Sequence, residues 1–299
     1  MSLRVVEPGL YSLLVGRKRS ASRHLGVPVG GPADVASCAL GNSLLGNAPD
    51  ALALETALFG PILKAEVPLA GVVYGAPFHV SASSGQSLEV GRTFNLAAGE
   101  RLKIGGTPSG CRAYLCVVGG FTGPEILGSQ TALAPIRRGD LLPCAVSSLK
   151  PRSGIAPPLR NFSVIRMLPG PQANWFADRQ FFDQTYTVAG ASDRMGVRLL
   201  GTPVNRPARE LVSEAVAPGA VQITNDGLPV ILAVDGQTIG GYPKIAHVIR
   251  ADLDLVGQLR PGSTIQFMEL TTDQAQFAHC EQSKFLRRTL AFWQAGAGG

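Results

Sequence analysis

QITNDGLPVILAVDGQTIGGYPKIAHVIRADLD, residues 222–254, is the stretch on which the reading of this chain turns. Two apolar runs of β type, 229–234 and 245–249, flank the loop DGQTIGGYPK at 235–244. That loop sets Asp235, Gln237, Tyr242 and Lys244 around Gly236, Gly240 and Gly241. Glycine admits close approach of a backbone or a ligand. A tight hairpin needs only two turn residues. Two readings are therefore open: a wide hairpin loop with solvated side chains, or one wall of a binding site.

Composition sets the surrounding class. A chain of 299 residues suggests about two domains. Hydrophobic content of 45% against 16% charged allows a sizeable core. The 36 glycines and 22 prolines fall between short apolar runs, the pattern of a turn-rich β protein. The net charge of +6 is dispersed; the densest basic cluster is Arg17-Lys18-Arg19 with Arg23 nearby. Without interleaved aromatics or a recognition motif, this reads as a solvated basic turn, and nucleic acid is not an expected partner. Five cysteines without CxxC spacing indicate free thiols in a reducing compartment. The four histidines are scattered, so no metal site is expected. No apolar run approaches the ~20 residues of a membrane span, and the N-terminus lacks the order of a signal peptide. The cytoplasm is the expected compartment, with no membrane partner.

Along the chain, strands are expected at 3–7 and 11–15, then a glycine-punctuated stretch, RHLGVPVGGPAD, at 23–34. Asp34 is a candidate N-cap for a helix over 35–45, with Ala36, Leu40 and Leu44 on one face. Asn42 lies off that stripe, either an exposed helix residue or a site residue. Short strands follow at 51–57, 62–67, 71–73, 79–82, 86–90, 101–104 and 112–118, spaced as in a β-barrel or sandwich. Glu55 interrupts its apolar run, as an outward-facing residue or a site carboxylate. Residues 146–158 read as a linker between an N-terminal domain at 1–150 and a C-terminal domain at 160–299. In the second domain, strands are expected at 162–167, 186–188, 197–200 and 211–216, and a helix at 172–183. Asp273 with Gln276 resembles a capping box opening a C-terminal helix that runs to about Ala295. The turn-then-strand phrase at 137–142 returns at 259–267, a faint internal echo compatible with two related β-domains.

These motifs together resemble a known family. RHLGVPVGGPAD, Gly46-Asn47, Leu54-Glu55, LCVVGG (115–120), SDRMG (192–196) and the long run SEAVAPGAVQITNDGLPVILAVDGQTIGGYPKIA (213–246) match it in order over about residues 7–270. The family is that of KipA, allophanate hydrolase subunit 2, the C subunit of 5-oxoprolinase and the carboxyltransferase domain of urea carboxylase. The resemblance implies a mainly β fold, two cyclophilin-like β-barrel domains in tandem with a few short helices and a C-terminal helix, and a cleft between the domains. Three departures stand out. Residues 15–21 replace the family's Gln-Asp phrase before RHLG, residues 130–136 stand for a longer glycine-rich insertion, and Gly236 stands where arginine is common.

The resemblance implies a subunit of an ATP-dependent 5-oxoprolinase-type amide hydrolase, opening 5-oxoproline to glutamate with a KipI-like B subunit and a LamB/YcsF-like A subunit. The alternatives are a non-catalytic regulatory homologue of KipA type and a carboxyltransferase module of the urea carboxylase type. Opening an amide requires stabilising charge on a former carbonyl oxygen. His24, Glu214, Asp226 and Lys244 are the candidate catalytic groups. Arg23, Asn42, Glu55, Arg194, Gln222, Gln237 and Tyr242 are the candidate substrate-binding residues. Each has a purely structural reading beside it: Lys244 paired with a surface acid, Arg194 with Asp193 as a brace, His24 bonded to backbone. The chain carries no Walker A sequence, no GxGxxG and no Met-Lys biotin attachment site. ATP, the expected cofactor, would then be held or shared by a partner.

Overall fold

The computed structural model describes residues 1–154, 163–176, 179–206 and 208–296. The chain divides into two compact units: Met1–Lys18, Asp34–Pro158 and Phe285–Gly299 form one, Arg19–Ala33 and Leu159–Lys284 the other. The end of the expected linker and the expected domain start near Arg160 lie outside the described residues. No described helix is long and apolar enough to cross a membrane.

The first unit is two antiparallel sheets with one core between them. The six-stranded sheet runs Leu141–Pro143, Ser2–Glu7, Ile62–Ala65, Arg101–Ile104, Val80–Ala82, Ser87–Leu88. The five-stranded sheet runs Tyr11–Val15, Ala53–Ala57, Arg112–Val117, Leu69–Gly75, Phe94–Leu96. Alternation puts Leu3, Leu63 and Leu102 of one sheet against Leu54, Val73 and Leu115 of the other. Strand Arg112–Val117 is buried along its whole length. Its second face, with Tyr114 and Cys116, packs under Leu40 and Leu44 of the helix Val35–Leu44. Asp34 caps that helix as expected, its carboxylate accepting from Ser37 N at 3.0 Å. Strand Phe94–Leu96 is too short for its alternation to be read in sequence.

The second unit is a closed seven-stranded barrel in the order Val164–Pro169, Lys244–Val248, Ala220–Ile223, Pro229–Leu232, Gly196–Leu200, Tyr186–Val188, Thr264–Glu269. The first and last strands close it as a parallel pair, and the other pairs are antiparallel. Its interior holds Ile165, Val197, Val221, Ile223, Ile231, Ala246, Val248 and Phe267. The mainly β architecture expected from the sequence is therefore the one adopted. Closure is seen in this unit, and the first is built of sheets sharing a core.

Three local expectations need correction. The runs at 229–234 and 245–249 do not form a hairpin, because Ala220–Ile223 lies between their strands and pairs with both. Residues 233–243 are therefore a crossover past the end of an intervening strand. The helix expected over 172–183 is, among the described residues, only a 3-10 turn at Ala173–Trp175. Phe176 and Phe181 turn into the barrel core, Phe181 stacking on Phe267 at 4.7 Å between ring centres. Lastly, the C-terminal helix Thr272–Gly296 is capped at a different position from the one expected. Gln274 Oε1 accepts from Thr271 N at 2.9 Å while Gln274 N donates to Thr271 Oγ1 at 3.3 Å, so Thr271 and Gln274 make the box rather than Asp273 and Gln276.

Candidate functional site

The site is built on the outside of the barrel by a break in strand register. Ala220 pairs with His247 and Val221 with Ala246, but Gln222 pairs with Lys244. Ile245 is thus the extra residue of a β-bulge, the device that re-aims side chains along a strand. Ile245 and Ala246 both enter the barrel core. Lys244, Gln222, Ala220 and His247 are left together on the outer face.

That face is covered. Glu214–Ala215 pairs with Ile239–Gly240 as a two-stranded ribbon, Glu214 opposite Gly240, and Val216 N donates to Thr238 O at 3.0 Å. Beneath this cover Lys244 is buried and ion-paired through Nζ to Glu214 Oε1. Gln172 completes the triad: its Nε2 donates to Glu214 Oε1 at 2.9 Å, and its Oε1 accepts from Lys244 N at 3.0 Å. The Lys244 ammonium first, then the Gln172 amide, hold the Glu214 carboxyl below its ordinary range.

Gln222 is only 2% exposed, and its Nε2 has no hydrogen-bond partner among the described residues. A buried amide left this way is a donor awaiting a ligand or water. Gln237 brings a second amide to the same place. A Cβ on Gly240 would stand 2.6 Å from Gln237 Nε2 and 2.8 Å from Gln222 Nε2, so both amides close over this glycine.

Arg23 reaches the site because residues 19–33 belong to this unit. Gly30 and Gly31, at φ of 63° and 78°, take the left-handed conformation that glycine adopts without steric penalty. Gly30 N donates to Val234 O at 2.8 Å, and Gly31 O accepts from Arg194 Nη2 at 2.8 Å. Arg194 is buried and grips Asp235 with two further bonds, Nε to Oδ2 at 2.7 Å and Nη2 to Oδ1 at 3.1 Å. Its partner is Asp235 and not Asp193, whose carboxylate accepts from Met195 N and Gly196 N in a local turn. With the segment held, Arg23 donates to Val216 O. Arg23, Glu214, Val216, Lys244 and His247 then line a cavity of about 370 Å³.

The remaining candidates are placed elsewhere. His24 is exposed on the 3-10 turn Ser20–Leu25 and does not line the cavity. Tyr242 is half-buried, with the Arg206 guanidinium 5.8 Å over its ring. Asp226 is exposed and shapes the turn after Ile223; it accepts from Thr224 Oγ1 and, at 3.4 Å, from Leu228 N, and the threonine bond first holds its carboxyl low. Asn42 and Glu55 belong to the first unit. Asn42 is fully buried, donating to Ala51 O at 2.9 Å and accepting from Asn47 Nδ2 at 3.0 Å. Glu55 does not face outward: it is 0% exposed, 3.3 Å from Arg112 Nε, and accepts from Tyr114 Oη at 2.8 Å. Both side chains are occupied in holding their own unit together.

Gln172 and His247 escaped the sequence reading. Gln172 sits some 70 residues before Lys244 and meets it only through the barrel. His247 carries a recognisable signal, a lone imidazole three residues from Lys244 in the most motif-dense stretch of the chain. No cluster of metal-ligating side chains occurs among the described residues. The cavity offers two cations, a carboxylate and an imidazole, a set that can bind and polarise a small oxyanion or carbonyl, and the Gln222 and Gln237 amides meet at Gly240 nearby.

Known proteins share this fold. Residues 25–269 match the family model of the carboxyltransferase domain, subdomain A and B. The chain is 36% identical over 273 residues to the 5-oxoprolinase C subunit of Haemophilus influenzae, covering 86% of this chain and 87% of that one. It superposes on the K. lactis urea amidolyase with a TM-score of 0.88 at 29% identity, over 96% of this chain and 20% of that one. It superposes on the structure of TTHA0988 with a TM-score of 0.83 at 36% identity, over 89% of this chain and 56% of that one. The chain thus spans a little over half of one solved relative and about a fifth of the other. On the family match and the identity, this chain belongs to the family of the carboxyltransferase domain, subdomain A and B.

Proposed function

We propose that this chain is the C subunit of a 5-oxoprolinase-type amide hydrolase, acting in the cytoplasm on 5-oxoproline to give glutamate at the expense of ATP. The observation that carries this reading is the nearly end-to-end match to a 5-oxoprolinase C subunit, covering most of both chains. Lys244 and Arg23 would stabilise charge on the lactam oxygen and the carboxylate, with Glu214 and Gln172 holding Lys244 in place. The Gln222 and Gln237 amides would orient the substrate. Nothing in the chain has the sequence of a phosphate-binding loop, so the nucleotide is assigned to a partner. The expected partners are a KipI-like B subunit and a LamB/YcsF-like A subunit. Mixing the three with ATP and 5-oxoproline should release glutamate, and omitting any one should stop it. Capture of a B-type partner without glutamate formation would instead indicate a regulatory homologue.

A second reading is a carboxyltransferase module, supported by the close superposition on a urea amidolyase. It requires a separate biotin carrier, because this chain has no attachment site of its own. Carboxybiotin-dependent transfer to urea, with no ATP-driven cleavage of 5-oxoproline, would select it.

A further inference from the structure

His247 lines the cavity beside Arg23, Glu214 and Lys244. Its Nδ1 lies 3.0 Å from Val248 O. A carbonyl only accepts, so Nδ1 carries the proton, and the Nδ1–H tautomer presents Nε2 as an acceptor. Among the described residues Nε2 has no partner. The ring is also held in place: a Cβ on Gly219 would stand 3.0 Å from His247 Cε1 and 3.3 Å from Nδ1, so imidazole and glycine backbone are packed closely together. Gly219, at φ of 93°, is in a conformation that other residues rarely adopt, so the space for the ring is built into the turn. The groups facing this imidazole across the cavity are cations at Arg23 and Lys244 and the carboxylate of Glu214. The first two donate, and Glu214 takes Lys244 Nζ and Gln172 Nε2 on its Oε1. His247 thus brings to a cavity with two cations an Nε2 that has no partner among the described residues.

We infer that His247 is a specificity-determining residue of this cavity: its Nε2 accepts a hydrogen bond from the ligand, selecting small carboxylates that carry an N–H over isosteres that lack one. This rests on the 5-oxoprolinase reading for the identity of the ligand and goes beyond it in assigning the discrimination to this ring. A site built to pair a ligand N–H rejects the analogue without it, because the acceptor is then left unpaired.

The test measures binding by calorimetry to the full chain, alone and mixed with its B- and A-type partners. The probes are 5-oxoproline and the γ-lactone in which ring oxygen replaces the N–H. The wild type should prefer the lactam by roughly tenfold, the scale of one hydrogen bond. His247→Ala should bind both equally, and His247→Gln, which keeps an acceptor, should recover part of the preference. Equal binding by the wild type, or a preference that survives in His247→Ala, overturns the inference. The failures separate cleanly. If the mixed subunits release glutamate equally well with wild type and His247→Ala and neither probe is discriminated, the hydrolase reading stands and the role of His247 falls. If the mixture neither releases glutamate nor binds either probe, both fall.

Discussion

Lys244 faces Gln222 across two paired strands only because Ile245 is looped out between them. In a regular ladder Ile245 would oppose Gln222 and Lys244 would point with the core residues, since one step of register exchanges the faces of a strand. The bulge therefore converts a lysine in an apolar strand into a buried cation on the outer barrel face, where Glu214 meets it. Four consequences can be measured.

Lys244→Met should let the Glu214 carboxyl rise toward its ordinary value of 4.5, since the ammonium is the foremost cause holding it down. A carboxyl depressed in the folded state adds stability above its unfolded value and loses it as pH falls through the folded one. The acid limb of the wild-type stability curve, below about pH 4.5, should accordingly flatten in the variant. Carboxyl NMR titration reads the shift directly, and an unmoved Glu214 resonance would refute the coupling. Glutamate formation should fall by about a hundredfold or more, as expected when a cation at a developing oxyanion is lost.

Gly240→Ala tests the amide pair. Its Cβ meets Gln237 Nε2 at 2.6 Å and Gln222 Nε2 at 2.8 Å. Gln237 is exposed and can swing away, whereas Gln222 is buried and cannot. Overpacking of this kind costs about 1–3 kcal/mol, so the protein should fold while its affinity for 5-oxoproline drops sharply. Affinity within error of wild type would show that the amides do not touch the ligand.

Arg194→Lys should loosen residues 19–33 on the barrel unit. The guanidinium fork spans both Asp235 oxygens and Gly31 O, and a single ammonium cannot reproduce that geometry. Breaking such a buried pair costs about 3 kcal/mol or more. Hydrogen exchange within residues 19–33 should accelerate, and activity should fall through the loss of Arg23 from the cavity. Unchanged exchange there would mean that the segment is held by other contacts.

Asn42→Ala and Asp226→Asn separate scaffold from site. The first leaves Ala51 O and Asn47 Nδ2 without their buried partner, at about 1–3 kcal/mol. It should lower Tm while leaving KM where it was. The second alters an exposed turn and should leave turnover as it is. A large loss of kcat from Asp226→Asn at unchanged stability would return that aspartate to the chemistry.

Much of the fold was legible because its signals are local. Strands Tyr11–Val15, Arg101–Ile104 and Tyr186–Val188 fall where alternation places them, and Asp34 caps the helix that its spacing predicts. The phrases at 137–142 and 259–267 each deliver a left-handed glycine, Gly139 and Gly262, ahead of a terminal strand. The expected helix at 172–183 failed because Phe176 and Phe181 answer to the barrel core rather than to helical spacing. Glu55 and Asn42 were candidates because polar residues amid apolar ones mark either a site or a buried network. Only their partners, Arg112, Tyr114, Ala51 and Asn47, decide which.

The sequence alone determined the β class, the turns and the residues from which the site is drawn, Gln172 and His247 excepted, because periodicity, capping and glycine placement act over a few positions. Which of those residues meet was decided by tertiary structure. Strand Ala220–Ile223 slots between two runs that look like a hairpin, Ile245 bulges, and Arg194 binds residues 19–33 to a barrel whose strands begin more than a hundred residues later. These are long-range pairings whose partners are set by burial and hydrogen-bond satisfaction across the fold, and no window of sequence contains both halves of them.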